Sequence, residues 1–260
     1  MICWLKGLVS SHFSSESVSV SYLNFPKHLL AAFCLLFSAG VAQAAGIDPD
    51  NQSITISITS EPPSLDSNIA EDSISRFILG MTNEGLVRYD QRLTPIPAVA
   101  ERWEEDGRII TYYLRSDARW IDDSQVTAHD FVYAWRRLVN PKTAASGSTT
   151  LAWIIDGAEA ILKGESPPEA LGVEAINDTT LQVTKSGPVP FFNQIIGTAP
   201  FYPLKQSFVE AEGDRHATEA GKLLENGPFQ LTGWVHGASV KLVRNTRYWN
   251  NKETQLNGLN

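Results

Sequence analysis

Between Ala118 and Leu138 the chain reads ARWIDDSQVTAHDFVYAWRRL. His129 and Asp130 are adjacent there, and Asp122 and Asp123 stand a few residues upstream. A histidine held by a carboxylate can act as a general base, and clustered carboxylates can bind a cation. Each chemistry needs more than this stretch supplies. A catalytic dyad needs a third group converging from elsewhere, and adjacent residues on a helix point in different directions. A calcium loop of the form D-x-D-x-D-G is absent. The five histidines, His12, His28, His129, His216 and His236, are scattered and form no H-x-x-x-H. G-x-S-x-G, S-x-x-K, G-x-G-x-x-G and G-x-x-x-x-G-K do not occur either. These residues form no recognisable catalytic set, and no metal site or cofactor is expected from them.

The same residues have a structural use. Thr127-Ala128-His129-Asp130 places a threonine at an N-cap and an acid at N3, a variant of the capping box. Asp130 would also favour the positive end of the helix dipole. Phe131, Trp135, Leu138 and Val139 form one apolar stripe. The spacing predicts a helix from Ala128 to about Val139, stopping at Asn140-Pro141 because the residue before proline resists helical geometry. Asp122-Asp123-Ser124 becomes the turn into the cap.

The elements around it are mixed. Ser53 to Thr59 alternates Ile54, Ile56 and Ile58 with small polar residues, a strand with one buried face. Pro62 and Pro63 end it. Ser73 to Thr82 carries Ile74, Phe77, Ile78 and Met81 at helical spacing, capped by Asp72 or Ser73. Thr94 to Pro97 reads as a turn. Glu104-Glu105-Asp106 reads as a solvated turn before a strand at Arg108 to Arg115. Asp156–Lys163, Phe191–Gly197 and Lys205–Glu212 read as short helices. Val173–Asn177 and Thr180–Lys185 form a hairpin through Asn177-Asp178, and Pro228–Trp234 and Ser239–Arg244 another through His236-Gly237. Strands in pairs with helices between them make a mixed α/β (α+β) pattern. The tryptophans from Trp103 to Trp249 are expected mostly in the core.

The ends and the charge add a location. Lys27 and His28 precede an apolar run at Leu29–Phe37, and Val41-Ala42-Gln43-Ala44 supplies an A-x-A site. That is a signal peptide over residues 27–44, cleaved after Ala44. Residues 1–26 read as an upstream extension outside the fold. Cys3 and Cys34 are the only cysteines, so residues 45–260 have no disulfide and no thiolate chemistry. Those residues carry 19 Lys and Arg against 28 Asp and Glu. Such a balance argues against a nucleic-acid partner or an anionic membrane surface. An exported, cysteine-free chain fits a bacterial periplasm. The closing ETQLNGLN is polar and closes no element, so residues 45–260 are read as one domain cut before its end.

Several segments, taken in order, resemble the family 5 extracellular solute-binding proteins of ABC importers, the peptide- and nickel-binding class. The isoleucine-rich strand leads to Ser64-Leu65-Asp66, like the family's S-L-D. Asn83-Glu84-Gly85-Leu86 resembles its E-G-L step, and Pro97 to Trp103 its P-x-L/V-A-x-x-W. Thr111 to Arg115 with Trp120 resembles F-x-L-R-x-x-x-x-W, and Val126 to Trp135 the signature helix of oligopeptide-binding members. Asn226-Gly227-Pro228-Phe229 resembles N-G-[PA]-[FY], and Arg244-Asn245 with Tyr248-Trp249 resembles R-N-x-x-Y-W. The resemblance spans about Ser53 to Asn250. One departure is local: where the signature runs W-x-D-G-x-P, Asp123 replaces the glycine and Gln125 the proline. Asp tolerates left-handed geometry better than most residues, so the turn should survive with modest strain.

The resemblance implies a type II periplasmic binding protein-like fold, here the N-terminal lobe only, a mixed sheet flanked by helices. Full members have two lobes that close on ligand. It implies a periplasmic monomer with a peptide ligand and the permease subunits of an importer as partners. Oligopeptide-binding members place an acid near the bound peptide where Glu71 stands, and Asp72 and Ser73 would follow along the same cleft edge. Gly147 falls at a position where some members carry a pocket aromatic, so no contact is expected there. Peptides are held mainly through main-chain hydrogen bonds, a mode that leaves few side-chain signals. Another ligand (murein peptide, dipeptide, haem or nickel), a non-functional truncated fragment, and a secreted hydrolase are the alternatives.

Overall fold

The computed structural model describes residues 46–145 and 147–260. The extension at 1–26 and the signal peptide at 27–44 lie outside the described residues. Three sheets carry the fold. The first has the order β1-β2-β11-β10-β9, from β1 (Ile47–Asp48), β2 (Ser53–Ile54), β9 (Phe229–Val235), β10 (Ser239–Arg244) and β11 (Gly258–Leu259). The second pairs β3 (Val87–Tyr89) with β4 (Pro95–Pro97). The third has the order β5-β6-β8-β7, from β5 (Ala100–Asp106), β6 (Ile109–Leu114), β7 (Val173–Asn177) and β8 (Thr180–Thr184), all antiparallel.

Both expected hairpins form, and Gly237 supplies the left-handed residue of the second turn at φ +69°. Helix α1 (Ser73–Thr82) starts at Asp72, whose carboxylate accepts the Ser75 N–H at 2.8 Å. Helix α2 (Ala128–Val139) covers the third sheet with the stripe its spacing predicted. Phe131, Trp135, Leu138 and Val139 are fully buried beside Trp120 and Tyr112. A second apolar cluster, around Leu65, Leu79, Phe229, Leu231 and Leu242, packs α1 against the first sheet.

Four expectations differ. Only Ser53 and Ile54 of the Ser53–Thr59 run pair in a ladder, and Ile56 and Ile58 are 41% and 37% exposed. Alternation decides which side chains share a face, but burying that face takes a neighbour that local sequence does not name. Pro95–Pro97 forms an edge strand, a tolerated place for proline, and the turn lies earlier, where Asp90 accepts the N–H groups of Arg92 and Thr94. Glu104, Glu105 and Asp106 lie inside β5, and the turn follows at Gly107. β5 is a sheet edge, where charge discourages further pairing. Glu105 is ion-paired there with the buried Lys185. A helix at Ser148–Ile154 was not expected, since Ser and Thr at its start are weak helix formers. It leaves Trp153 80% exposed rather than in the core.

Candidate ligand-binding edge

The His129–Asp130 pair is a helix start. The Asp130 carboxylate accepts the Thr127 N–H at 2.8 Å, its hydroxyl at 3.1 Å and the Trp120 indole N–H at 3.3 Å. Burial pushes the Asp130 carboxyl up, while those three hydrogen bonds and the Lys205 charge oppose the rise. His129 points to solvent, 3.5 Å from the exposed Asp178. That carboxylate is its one ionic contact among the described residues. Asp122 and Asp123 form the preceding turn. Partial burial works to raise the Asp122 pKa, but hydrogen bonds from Lys205 at 2.8 Å and from Ser124 outweigh it and lower the value. Asp123 takes φ +73° and pairs with Arg247 at 2.6 Å.

Helix α2 acts on the candidate edge through its far end. Arg137 projects from the last turn and grips Asp66 in a bidentate pair, 2.6 and 3.0 Å, and its Nη1 also donates to the Asn68 side chain at 3.0 Å. Asn68 in turn donates to the Pro200 carbonyl at 3.0 Å. Asp66 caps its own loop, accepting the Asn68 N–H at 3.1 Å, and its carbonyl takes the N–H groups of Ile69 and Ala70. Leu65 is tied by its N–H to the Ala217 carbonyl at 3.2 Å. The S-L-D loop is thus fixed at both ends just before Glu71.

Glu71 and Ser73 are exposed, and Asp72 is partly exposed. The three expected residues lie together at the start of α1. They are not equivalent. Desolvation works to raise the Asp72 pKa, but the hydrogen bonds from Ser75 engage its carboxylate and lower it. Glu71 and Ser73 have no such side-chain partner among the described residues. Behind the loop lies His216, which the sequence did not single out. Both its ring nitrogens are buried without a hydrogen-bond partner among the described residues, and burial lowers its pKa while Asp66 opposes that.

Three other motifs meet at a second polar knot. Glu84 is buried, and its carboxylate accepts the Tyr248 hydroxyl at 2.5 Å and the Trp249 indole N–H at 2.6 Å. The Asn226 side chain closes on its backbone, accepting the Glu84 N–H at 3.0 Å and donating to its carbonyl at 2.9 Å. Burial raises the Glu84 pKa, and the Trp249 and Tyr248 hydrogen bonds and the Arg88 and Arg115 charges hold it back. Arg115 stacks its guanidinium 3.7 Å over the Trp249 ring. Gly227 is required here, because a Cβ would lie 2.7 Å from the Asn83 nitrogen and the Thr82 carbonyl carbon. The polar groups of this knot face other chain segments, so its role is to lock segments together. No sequence spacing could show that, since Glu84 and Trp249 are 165 residues apart. Among the described residues, no group of three or more His, Cys, Asp or Glu could hold a metal.

Comparison with known proteins places this arrangement. The family model of bacterial extracellular solute-binding proteins, family 5 middle, matches residues 94–260. The periplasmic oligopeptide-binding protein OppA of Salmonella typhimurium is 37% identical over 244 residues, covering 89% of this chain and 44% of that protein. The periplasmic murein peptide-binding protein MppA of Escherichia coli is 34% identical over 244 residues, with 88% and 44% covered. Among solved structures, the substrate-binding domain of an oligopeptide ABC transporter from Bacillus anthracis matches at TM-score 0.79 and 40% identity. It covers 83% of this chain and 42% of that one. Listeria monocytogenes OppA bound to peptide matches at TM-score 0.77 and 34% identity, covering 80% and 42%. The chain spans about 44% of the length of these two curated relatives. The architecture is that of type II periplasmic binding proteins.

Proposed function

The chain belongs to the bacterial extracellular solute-binding proteins of family 5, and from that premise we propose that it forms part of the peptide-binding component of an ABC importer. Its ligand is an extended oligopeptide, and it carries out no reaction of its own. Glu71 and Ser73, with Asp72 fixing the helix start between them, form the edge along which the peptide lies. The observation that carries this reading is the 37% identity to an oligopeptide-binding protein over 244 residues. The fixed S-L-D loop supports it physically. A main-chain recognition edge must be rigid before the peptide arrives, because ordering it on binding would cost affinity.

The protein works in the periplasm as a monomer, exported by a signal peptide that is cleaved after Ala44, and passes its peptide to membrane permease subunits. Residues 46–260 supply one wall of the cleft. Closure on a ligand needs contacts that differ between open and closed states, and these come from both walls.

Isothermal titration of the complete gene product with tri- to pentapeptides tests the proposal. Saturable micromolar binding is expected, weakened about tenfold by Glu71→Ala, the worth of one charge-assisted hydrogen bond. No heat with any of these peptides at millimolar concentration sinks it. A murein tripeptide serves as a separate arm, because one relative is a murein peptide-binding protein.

A further inference from the structure

His216 is buried behind the S-L-D loop, with its ring edge-on to Phe208 at a centroid distance of 6.3 Å. Neither ring nitrogen has a hydrogen-bond partner among the described residues. A neutral imidazole carries one N–H donor and one acceptor. Leaving such a group buried and unpaired costs about 1–3 kcal/mol. An apolar ring would fill the same space without that cost, so packing alone does not account for a histidine here.

Its main chain is tied to the loop. The His216 N–H donates to the Gly213 carbonyl at 3.0 Å, and the Ala217 N–H donates to the Lys222 carbonyl at 2.7 Å. Ala217 then accepts the Leu65 N–H and takes φ +59°, a left-handed conformation that its surroundings must hold. A shift of the ring therefore reaches Leu65 and Asp66 through Ala217.

Charged groups face the ring from each side. Asp66 comes from the loop, Arg137 from α2, and Glu212 from the helix at Gln206–Glu212. Glu212 is paired with Lys222 at 3.0 Å and with Arg215 at 3.3 Å. Tyr133 of α2 shares the field of Arg137, Glu210 and Asp66. The Lys222 main chain also approaches the ring, short of a hydrogen bond. Burial holds the His216 pKa below its ordinary value; Asp66 and Glu212 oppose this, and Arg137 adds to it. The ring is therefore neutral at pH 7. A proton taken up in acid adds a second N–H donor and a charge beside Arg137, and two cations then compete for the Asp66 carboxylate.

We infer that His216 is a positioning residue for the binding edge: its neutral ring leaves Asp66 to Arg137 and keeps the S-L-D loop fixed, whereas its protonation draws the Asp66 carboxylate off Arg137 and loosens the edge at Glu71. The inference rests on the function proposed for that edge and makes acid the condition under which peptide is released. The sign follows from the lowered pKa. The unfolded chain takes the proton more readily, so the order that His216 maintains is full above the ordinary histidine value and is lost as pH falls through the folded one.

Two measurements on the complete gene product test it, each at pH 7.0 and pH 5.0 on wild type and His216→Phe. The phenylalanine keeps the contact with Phe208 and cannot be protonated. Glu225, which also titrates in this range, is common to both proteins and cancels. In isothermal titration with trialanine, wild-type affinity is expected to fall about fivefold or more at pH 5.0, and that of the variant to hold within about twofold. The second measurement needs no peptide. Hydrogen exchange of the Leu65 and Asn68 amides, corrected for the intrinsic rate, should speed up about tenfold in wild type at pH 5.0 and not in the variant. A residue that merely fills space would give the two proteins the same pH profile. Equal protection of these amides in both proteins at pH 5.0 overturns the inference, and so does a wild-type affinity that falls no further than the variant's. Absence of trialanine binding at both pH values strikes the function proposed for the edge, and the exchange rates then decide whether His216 governs the loop. If His216→Phe does not fold, His216→Gln, polar but uncharged at both pH values, replaces it with the same expectations.

Discussion

Arg137 Nη2 lies 2.6 Å from Asp66 Oδ2 across 71 residues of chain. Both side chains are largely buried, at 20% and 5% exposure. This pair joins the last turn of α2 to the S-L-D loop, and so the best-patterned helix of the sequence to the proposed binding edge. A buried pair gives little net stability against an apolar replacement, but breaking one half leaves an uncompensated charge.

Arg137→Ala is therefore expected to cost about 3 kcal/mol in urea unfolding. The double variant Arg137→Met, Asp66→Leu should recover most of that. Equal loss in single and double variants would show that packing, not charge pairing, holds the loop. Arg137→Lys tests geometry separately, since a lysine cannot make the bidentate contact.

Glu84→Gln puts an amide where the carboxylate accepts two donors, from Tyr248 and Trp249. One donor then faces another donor. The expected loss is about 2 kcal/mol, with a red shift and a change in intensity of tryptophan emission as the Trp249 indole loses its acceptor. An unchanged spectrum and an unchanged midpoint would remove Glu84 from the centre of the knot.

Glu225 gives the fold a pH dependence. It is 2% exposed, its carboxylate accepts the Leu231 N–H at 3.0 Å, and burial pushes its pKa up to about 7. The folded state thus holds its proton more tightly than the unfolded chain, where the group titrates near 4.5. The stability it contributes is full below the unfolded value and is lost as pH rises through about 7, on the order of 3 kcal/mol in all. Glu225→Gln should melt higher than wild type at pH 8 and near it at pH 5. A wild-type melting temperature that does not fall relative to the variant between those pH values would refute the assignment.

Much of this was legible in the sequence, and the limits have a physical pattern. The α2 cap, the Asp72 cap and both hairpin turns depend on residues within four positions of each other, and all of them formed. The left-handed turn at Asp123 was readable only through the resemblance, because Asp123 stands where the family signature carries glycine. What failed depends on distant neighbours: the burial of Ile56 and Ile58, the acidic run inside β5 and the exposure of Trp153. The Glu84 knot and the Asp66–Arg137 pair were visible only as separate motifs, because proximity across a long stretch of chain leaves no periodic trace. The Glu71 edge came from family resemblance alone, since main-chain recognition asks little of side-chain type.

Asp123 offers a direct test of backbone strain. A non-glycine residue at φ +73° carries a cost that glycine does not. Its ion pair with Arg247 is exposed and contributes little against that. Asp123→Gly should therefore stabilise the protein by up to about 1 kcal/mol, and Asp123→Ala should destabilise it by about as much. If Gly and Ala shifted the midpoint equally and in the same direction, strain would not be what distinguishes this turn.

The adjacent pair that first suggested chemistry separates cleanly by substitution. Asp130 accepts three hydrogen bonds at the start of α2, whereas His129 makes one long, exposed contact with Asp178. Asp130→Ala should cost about 1–2 kcal/mol, as loss of a capping side chain does, with the Trp120 indole left unpaired in addition. His129→Ala should move stability by less than about 0.5 kcal/mol, the scale of a surface substitution. It should also leave peptide binding intact, because His129 lies at the opposite end of α2 from the Arg137 clamp on the S-L-D loop. A loss of peptide affinity in His129→Ala with an unchanged melting curve would return this histidine to the functional surface, and would place the binding edge at the wrong end of the helix.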